Sequence, residues 1–414
     1  MRDEDDRLPA NARMARVAVS AIFFVHGAVF ASWAARVPAV QTELRLSAGI
    51  SGLVLAGPGL GALAGSQAGG LLVRHLGSRA VSATAPVVLS VPLGLIPVAQ
   101  SPWSLMGLLV VLGAADGCTS VAMNAQAVVV QRRYGRAVLN SMHAIRSVGA
   151  VAGGLAGVAT AALGLTLTTQ FVITAAVLAV VSAVAACGLG PDRDRARQAQ
   201  RTKTARVPDA GEQDAADHGP NRWMLVLLLA LMTFLTALVE DAPASWSGVY
   251  LRHVGADAAT AAAGYAAFSA GEGVTRLFND WMVDRIGWAR LIRVGTLCCA
   301  AALSAALLLG QPGTTLPALV VAGAGISAVF PGAFTAAGGL PDAPLAMGQV
   351  GFAGNLGWLL VSPIIGGLAT VVGLPIALGL LVVAAATIAG LAPITRSAAP
   401  PHSGTRQIAQ EMNS

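Results

Sequence analysis

Apolar runs long enough to cross a bilayer recur twelve times along this chain, and that recurrence constrains its fold more than any other feature. A helical span takes roughly 20 residues at about 1.5 Å of rise per residue. Candidate spans fall at 15–38, 49–73, 79–99, 103–130, 138–163, 166–188, 222–250, 257–282, 289–310, 315–338, 344–371 and 374–393. Several run past about 25 residues, as tilted or broken helices do. Of the 414 residues, 55% are hydrophobic and 11% charged, whereas a soluble domain carries about a quarter charged residues. Charge this sparse cannot coat a globule, so the missing polar surface faces lipid. Long apolar runs, in place of alternation over short segments, exclude a transmembrane β-barrel. The expectation is an all-α membrane protein of twelve transmembrane helices.

Arginine placement orients it. With this layout all but five of the 26 Lys and Arg fall in the termini and in the loops that follow even-numbered spans. Arg36, Arg45 and Arg252 lie on the other side, and Arg146 and Arg276 lie inside spans. The asymmetry places both termini in the cytoplasm of a cell inner membrane. The pI near 9.8 is then a topology signal, and no nucleic-acid partner is expected, because the positive charges are scattered between helices. The acidic and basic start, with no small-residue cleavage site after a short apolar core, marks span 1 as retained. Cys118, Cys187, Cys298 and Cys299 all fall in predicted helices without metal-ligand spacing, so no metal and no cofactor are expected. The adjacent pair is a poor disulfide candidate.

Residues 189–221 break the pattern with a basic stretch around Arg193, Arg195 and Lys203, followed by Glu212, Asp214 and Asp217. Lacking large apolar residues, this stretch reads as a cytoplasmic linker. It separates a six-helix bundle at 15–188 from another at 222–393, with cytoplasmic tails at 1–14 and 394–414. The halves echo each other. Ala31-Ser32-Trp33 closes span 1 and Ala244-Ser245-Trp246 closes span 7, with both tryptophans expected at the outer interface. The loop from Gly70 to Arg79 matches the one from Asp280 to Arg290, and the two echoes are offset by 213 and 210 residues. Two parallel halves with a site between them is a transporter architecture.

The second of these loops resembles the cytoplasmic motif of the major facilitator superfamily, G-x-L-x-D-R-x-G-x-x-R. Asp284, Arg285, Gly287 and Arg290 match it, with Asp280 at the leading glycine. The first loop keeps Gly70, Leu72, Gly77 and Arg79 but has Arg74 at the aspartate. Further phrases resemble the YbjJ-like branch: Ser32 to Pro38, Ala122 to Ala127, His143 to Gly149 and Trp246 to Arg252. The resemblance implies the major facilitator fold, two six-helix pseudo-repeat bundles, and alternating access.

Glycine stripes at Gly57, Gly61, Gly65 and Gly69 and at Gly149, Gly153 and Gly157 let a second backbone approach closely. They serve either sliding between the halves or static packing. Polar residues at membrane depth mark function, because each is costly in hydrocarbon. His26, Asp116 and Asn355 fall near the midplane, and Asn124, Gln126, His143 and Arg146 form a second layer. With Trp358 these are the substrate-cavity candidates, and Phe330 and Tyr265 offer further stacking surface. Asp116 is the preferred proton-coupling residue, with Glu240 and Asp241 as alternatives, of which adjacency lets only one face the cavity. Arg146 suits an anionic substrate group or a structural pairing. On span 8, Glu272, Arg276, Asp280 and Asp284 recur every fourth residue, the spacing of one helix face, and run into the loop motif as a gate network.

An intramembrane enzyme is disfavoured. Asn279-Asp280 with Asp284 lacks the intermediate acid of a prenyltransferase motif, since Val283 holds that place, and no Ser/His or zinc constellation appears. A transporter-like receptor would need a sizeable signalling segment, which the tail after Ile394 does not offer. The expected function is secondary active transport of a small solute, proton-coupled by its buried acids, in a monomer whose partners are that small-molecule substrate and the lipid bilayer. An uncoupled facilitator is the alternative.

Overall fold

The computed structural model describes residues 10–134, 138–190, 220–340 and 342–396. Most of the expected linker at 189–221 and of the tails at 1–14 and 394–414 lies outside them. Among the described residues the regular structure is helical throughout. The first half comprises α1 (Ala10–Ala34), α2 (Val37–Glu43), α3 (Ala48–Val54), α4 (Gly57–Leu76), α5 (Ser78–Leu95), α6 (Pro102–Tyr134), α7 (Leu139–Ala162) and α8 (Leu167–Gly188). The second comprises α9 (Pro220–Ala242), α10 (Gly248–His253), α11 (Ala258–Ile286), α12 (Trp288–Leu309), α13 (Pro312–Ile326), α14 (Val329–Gly338), α15 (Ala343–Val372) and α16 (Leu374–Leu391). Eleven described stretches are long and apolar enough to cross a membrane. The twelfth span, α11, has the length but dilutes its apolar character with small residues and with Glu272, Arg276, Asp280, Asp284 and Arg285.

Spans 1, 2, 7 and 10, each expected as one helix, are broken. Pro38 and Pro58 stand in the first turns of α2 and α4, where a missing N–H costs nothing but the preceding helix must stop. In span 7, Pro243 opens a wider π turn over Pro243–Ser247 between α9 and α10. Such turns interrupt the regular ladder and shift the helix face that follows.

Helix pairing repeats across the halves. Span 1 packs on span 5, span 2 on span 4 and span 3 on span 6; span 7 packs on span 11, span 8 on span 10 and span 9 on span 12. Glycine makes the closest of these contacts. A Cβ added at Gly61 or Gly65 would land on the backbone of Val110 or Ala114 in α6, and one at Gly149 or Gly153 on Phe24 or Ala28 in α1. In return, Gly113 and Gly117 of α6 meet Pro58 and Ala62. Both sequence stripes thus hold helices together within one half. The contacts between halves use other glycines: Gly52 on Ser362 and Gly366, Gly59 on Leu359, Gly248 on Pro38, and Gly154 on Ala266. Of the two roles left open for the stripes, static packing is the one observed: neither stripe faces the opposite half, because α6 and α1 already occupy those faces.

Trp33 and Trp246 correct the reading of an outer aromatic belt. They are 3% and 1% exposed; Trp33 lies against Phe171, and both rings turn into the bundles. The outward surface is largely aliphatic, with Val88, Val91, Val180, Val184, Leu308 and Val383 exposed, and the exposed Trp103, Trp223 and Trp281 stand near helix ends, as a lipid-facing wall flanked by interfaces requires. At one end of the molecule α4 turns into α5 at Gly77 and α11 into α12 at Gly287, with φ of 90° and 76°. A side chain there would be strained, which is the physical reason for glycine at both repeats of the motif. At the opposite end Asp257 caps α11 by accepting from the Thr260 N–H at 2.7 Å.

That hydrogen bond holds the Asp257 carboxyl below its ordinary range. A depressed folded-state value stabilises above the unfolded value near about 3.9, and the contribution fades as pH falls through the lower one. Asp257→Ala is therefore expected to unfold at a lower temperature than the parent at neutral pH. The gap should close in acid, as followed by melting curves at matched pH values.

Candidate functional site

Between the halves lies a cavity of about 450 Å³, the volume of a small-molecule site. Its wall is built from spans 1, 2, 3, 4 and 5 on one side and 7, 8, 10 and 11 on the other. The end bearing the Gly77 and Gly287 turns is termed the motif end. The α3–α15 and α2–α10 contacts lie toward the other end, where Gly52 meets Gly366 and Pro38 meets Gly248. Aromatic rings cross the divide as well: Phe30 of α1 meets Tyr265 of α11 edge-on, with ring centroids 5.9 Å apart. Trp358 and Phe330, 5.4 Å apart, supply apolar wall in the second half.

The first half contributes His26, Asp116 and Arg146. A near-touching approach of α1 and α7, where a Cβ on Gly27 would overlap the Arg146 carbonyl, sets His26 and Arg146 on adjoining stretches of wall. His26 Nε2 comes within 3.0 Å of Asp116 Oδ1. The two are not aligned as a hydrogen bond, and both ring nitrogens are buried without one, so this is a close approach that is ionic only when the imidazole is protonated. Asp116 has no opposite charge within a turn of it on its own helix; its partner comes from span 1, which sequence spacing cannot reveal.

The second half contributes a denser group. Arg276 donates to Glu240 Oε1 at 3.2 Å and also pairs with Glu272 one turn before it on α11. Two carboxylates, Glu240 from span 7 and Glu272 from span 8, therefore share one guanidinium. Glu272 and Arg276, read in the sequence with the gate, line the cavity; Asp280, Asp284 and Arg285 continue the face outward and are exposed, Arg285 stacking over Trp281 at 4.2 Å. Arg79 and Arg290 are exposed at the same end, and Gly70 has open space around it.

Glu240 and Asp241 both line the cavity, with Ala244 and Ser245 below them. This corrects the expectation that adjacency lets only one face it: span 7 presents a broad face as it enters its π turn. Asp241 and Arg146 have no hydrogen bond or ion pair among the described residues. Four sequence candidates stand elsewhere than on this wall. Gln126 is buried and donates to Ser78 Oγ at 2.9 Å, tying α6 to the start of α5. Asn124 is satisfied by the Ser120 carbonyl of its own helix at 2.8 Å. The His143 ring meets Phe23 edge-on at 5.0 Å, and Asn355 is exposed. Sequence depth put these residues at the right level of the membrane, but not on the right helix face.

A model of the Major Facilitator Superfamily matches residues 18–342. An uncharacterized MFS-type transporter of Yersinia pestis is 30% identical over 380 residues, 91% of this chain and 94% of that protein. Among solved structures, a D-xylose-proton symporter superposes with a TM-score of 0.70 at 14% identity, over 95% of this chain and 99% of that one. The nucleoside transporter NupG superposes at 0.68 and 15% identity, over 92% and 98%. At such identities the structural likeness is one of fold.

Proposed function

Because the chain belongs to the Major Facilitator Superfamily, we propose that it is a proton-coupled secondary transporter of a small solute, working by alternating access at the central cavity. The observation that carries the coupling is the Glu240–Arg276–Glu272 group: two acids on one cation, at membrane depth, on a wall shared with the solute. Ionised together they set two negative charges against the one guanidinium that both contact, which is costly where water is sparse. One proton removes that cost. A proton taken up from one side and surrendered to the other after the halves rock supplies coupling. Of the acids considered, this geometry favours Glu240, with Glu272 sharing the proton, over Asp116, whose contact is with His26.

The same reading takes the arginine-rich motif end as cytoplasmic in a cell inner membrane, with both termini and a linker at 189–221 on that side. The bundles at 15–188 and 222–393 are the rocking bodies of a monomer. The contacts at Gly52, Gly366, Pro38 and Gly248 then form the outer seal. The D-xylose-proton symporter named above lends the coupling an analogy through the fold.

The test is proton movement into dye-loaded proteoliposomes challenged with sugars, amino acids, organic acids and hydrophobic cations. A solute-dependent pH change is expected. Labelled solute equilibrating without proton movement would recast the protein as an uncoupled facilitator. In the same assay Asp116→Asn is expected to slow transport by about tenfold, the scale of one weakened charge contact, while keeping protons moved per solute unchanged. Loss of proton movement with solute exchange intact in that variant would transfer the coupling role to Asp116.

A further inference from the structure

The charged groups on the cavity wall are mostly satisfied by one another. His26 faces Asp116, and Arg276 holds Glu240 and Glu272. Two make no such direct contact, Arg146 from the first half, which lies within electrostatic reach of Glu240 without pairing with it, and Asp241 from the second. Each lines the cavity, each is half-buried, and neither has a hydrogen bond or ion pair among the described residues. They are of opposite sign, yet do not pair with each other. Tyr265, which meets Phe30 of the first half edge-on, lines the same cavity. An ion facing a cavity at membrane depth is expensive unless something supplies its counter-charge.

We propose that this cavity selects zwitterions: small solutes carrying an anionic group for Arg146 and a cationic group for Asp241. A monoanion would satisfy Arg146 and leave Asp241 bare; a monocation would do the reverse; a neutral sugar would leave both. Only a solute with both charges completes the wall. Because the two residues belong to opposite halves, such a solute also bridges them, and bridging stabilises the state in which the halves close around it. A singly charged solute contacts one half electrostatically and has no such grip on the conformational equilibrium. Around these two charges the aromatic wall of Phe30, Tyr265, Phe330 and Trp358 accommodates an apolar or ring-shaped body. The inference rests on the reading of the cavity as the transport site, but its test is equilibrium binding and needs no transport.

Purified full-length protein in detergent is to be titrated with zwitterions (the protein amino acids, β-alanine, taurine and glucosaminic acid). Binding is read by melting temperature and tryptophan fluorescence, since Trp33 and Trp358 line the cavity. For each zwitterion that binds, its methyl ester or amide and its N-acetyl form supply the single-charge controls. At least one zwitterion is expected to bind, with both controls weaker by roughly 30-fold or more, as when a buried charge loses its partner. Arg146→Gln should erase discrimination against the ester and keep it against the N-acetyl form, and Asp241→Asn should do the converse. Arg146→Lys, which keeps the charge, should retain both. These crossed patterns are read within each variant, so they survive a general loss of affinity or stability. Silence from the zwitterions, binding confined to singly charged or neutral solutes, or discrimination that the variants do not alter would overturn the proposal. Zwitterion binding without transport would instead overturn the reading as a transporter of that solute, and coupled transport of a neutral sugar alone would keep that reading while ending this one.

Discussion

Glu240→Gln is expected to abolish solute-driven proton movement and uphill accumulation while leaving solute exchange between the two faces of the membrane. Glutamine keeps the size of the side chain and can accept from Arg276, so the 3.2 Å contact retains a partner. What it removes is the second ionisable carboxyl. With Glu272 alone opposite Arg276, the pair is neutral when ionised, and the cost that drove proton uptake is gone. Counterflow of labelled against unlabelled solute, which needs no net proton transfer, should persist within about a factor of ten of the parent. Glu272→Gln should give the same separation of coupling from exchange, because either carboxyl of the shared pair can be the one removed. Full proton movement in both single variants would place the coupling site elsewhere.

Gly61→Val is expected to destabilise the protein by about 3 kcal/mol or more, beyond the usual cost of overpacking, because the obstruction is backbone. The new Cβ would fall on the Val110 carbonyl of α6, which no side-chain rotation can clear. Helices α4 and α6 would have to separate along a seam that also seats Gly65, Gly113 and Gly117. In lipid, where no water-driven force presses helices together, that close packing is the main source of cohesion. Gly107→Ala is the matched control. Gly107 also lies within α6, but a Cβ there meets nothing within 4 Å, and improved helix propensity should leave stability unchanged or raise it by up to about 1 kcal/mol. Melting temperature and yield of monodisperse protein in detergent measure both. Equal behaviour of the two variants would refute the packing argument.

Much of this molecule was legible in the residues. The span count, the break into two halves and the loops holding Gly77 and Gly287 follow from apolar length, charge and the repeated loop pattern, all of them local or additive properties of the chain. The repeat was legible as well, because two copies of one pattern share one offset. The aromatic assignment failed at Trp33 and Trp246, since sequence gives depth along a span but does not say whether a ring points to lipid or to a neighbouring helix.

The lining of the candidate cavity was legible in outline. Membrane depth singled out His26, Asp116, Arg146, Glu240 and Asp241, all of which line the cavity. It also singled out Asn124 and Gln126, whose side-chain amides donate to Ser120 and Ser78 and stand off the cavity wall. Glu272 and Arg276 were read as one face with Asp280 and Asp284, which is correct for a helix, but the face runs from the cavity to the exposed end. Composition and periodicity thus determined that the chain crosses the membrane many times, in two related halves, with a handful of ionisable groups buried in it. Only the tertiary structure decided which of those groups meet. His26 and Asp116 are 90 residues apart, and Glu240 and Arg276 are 36 apart. Local sequence sets a residue's height and rotation on its own helix, whereas the pairing of charges depends on which helices are brought side by side and at what register.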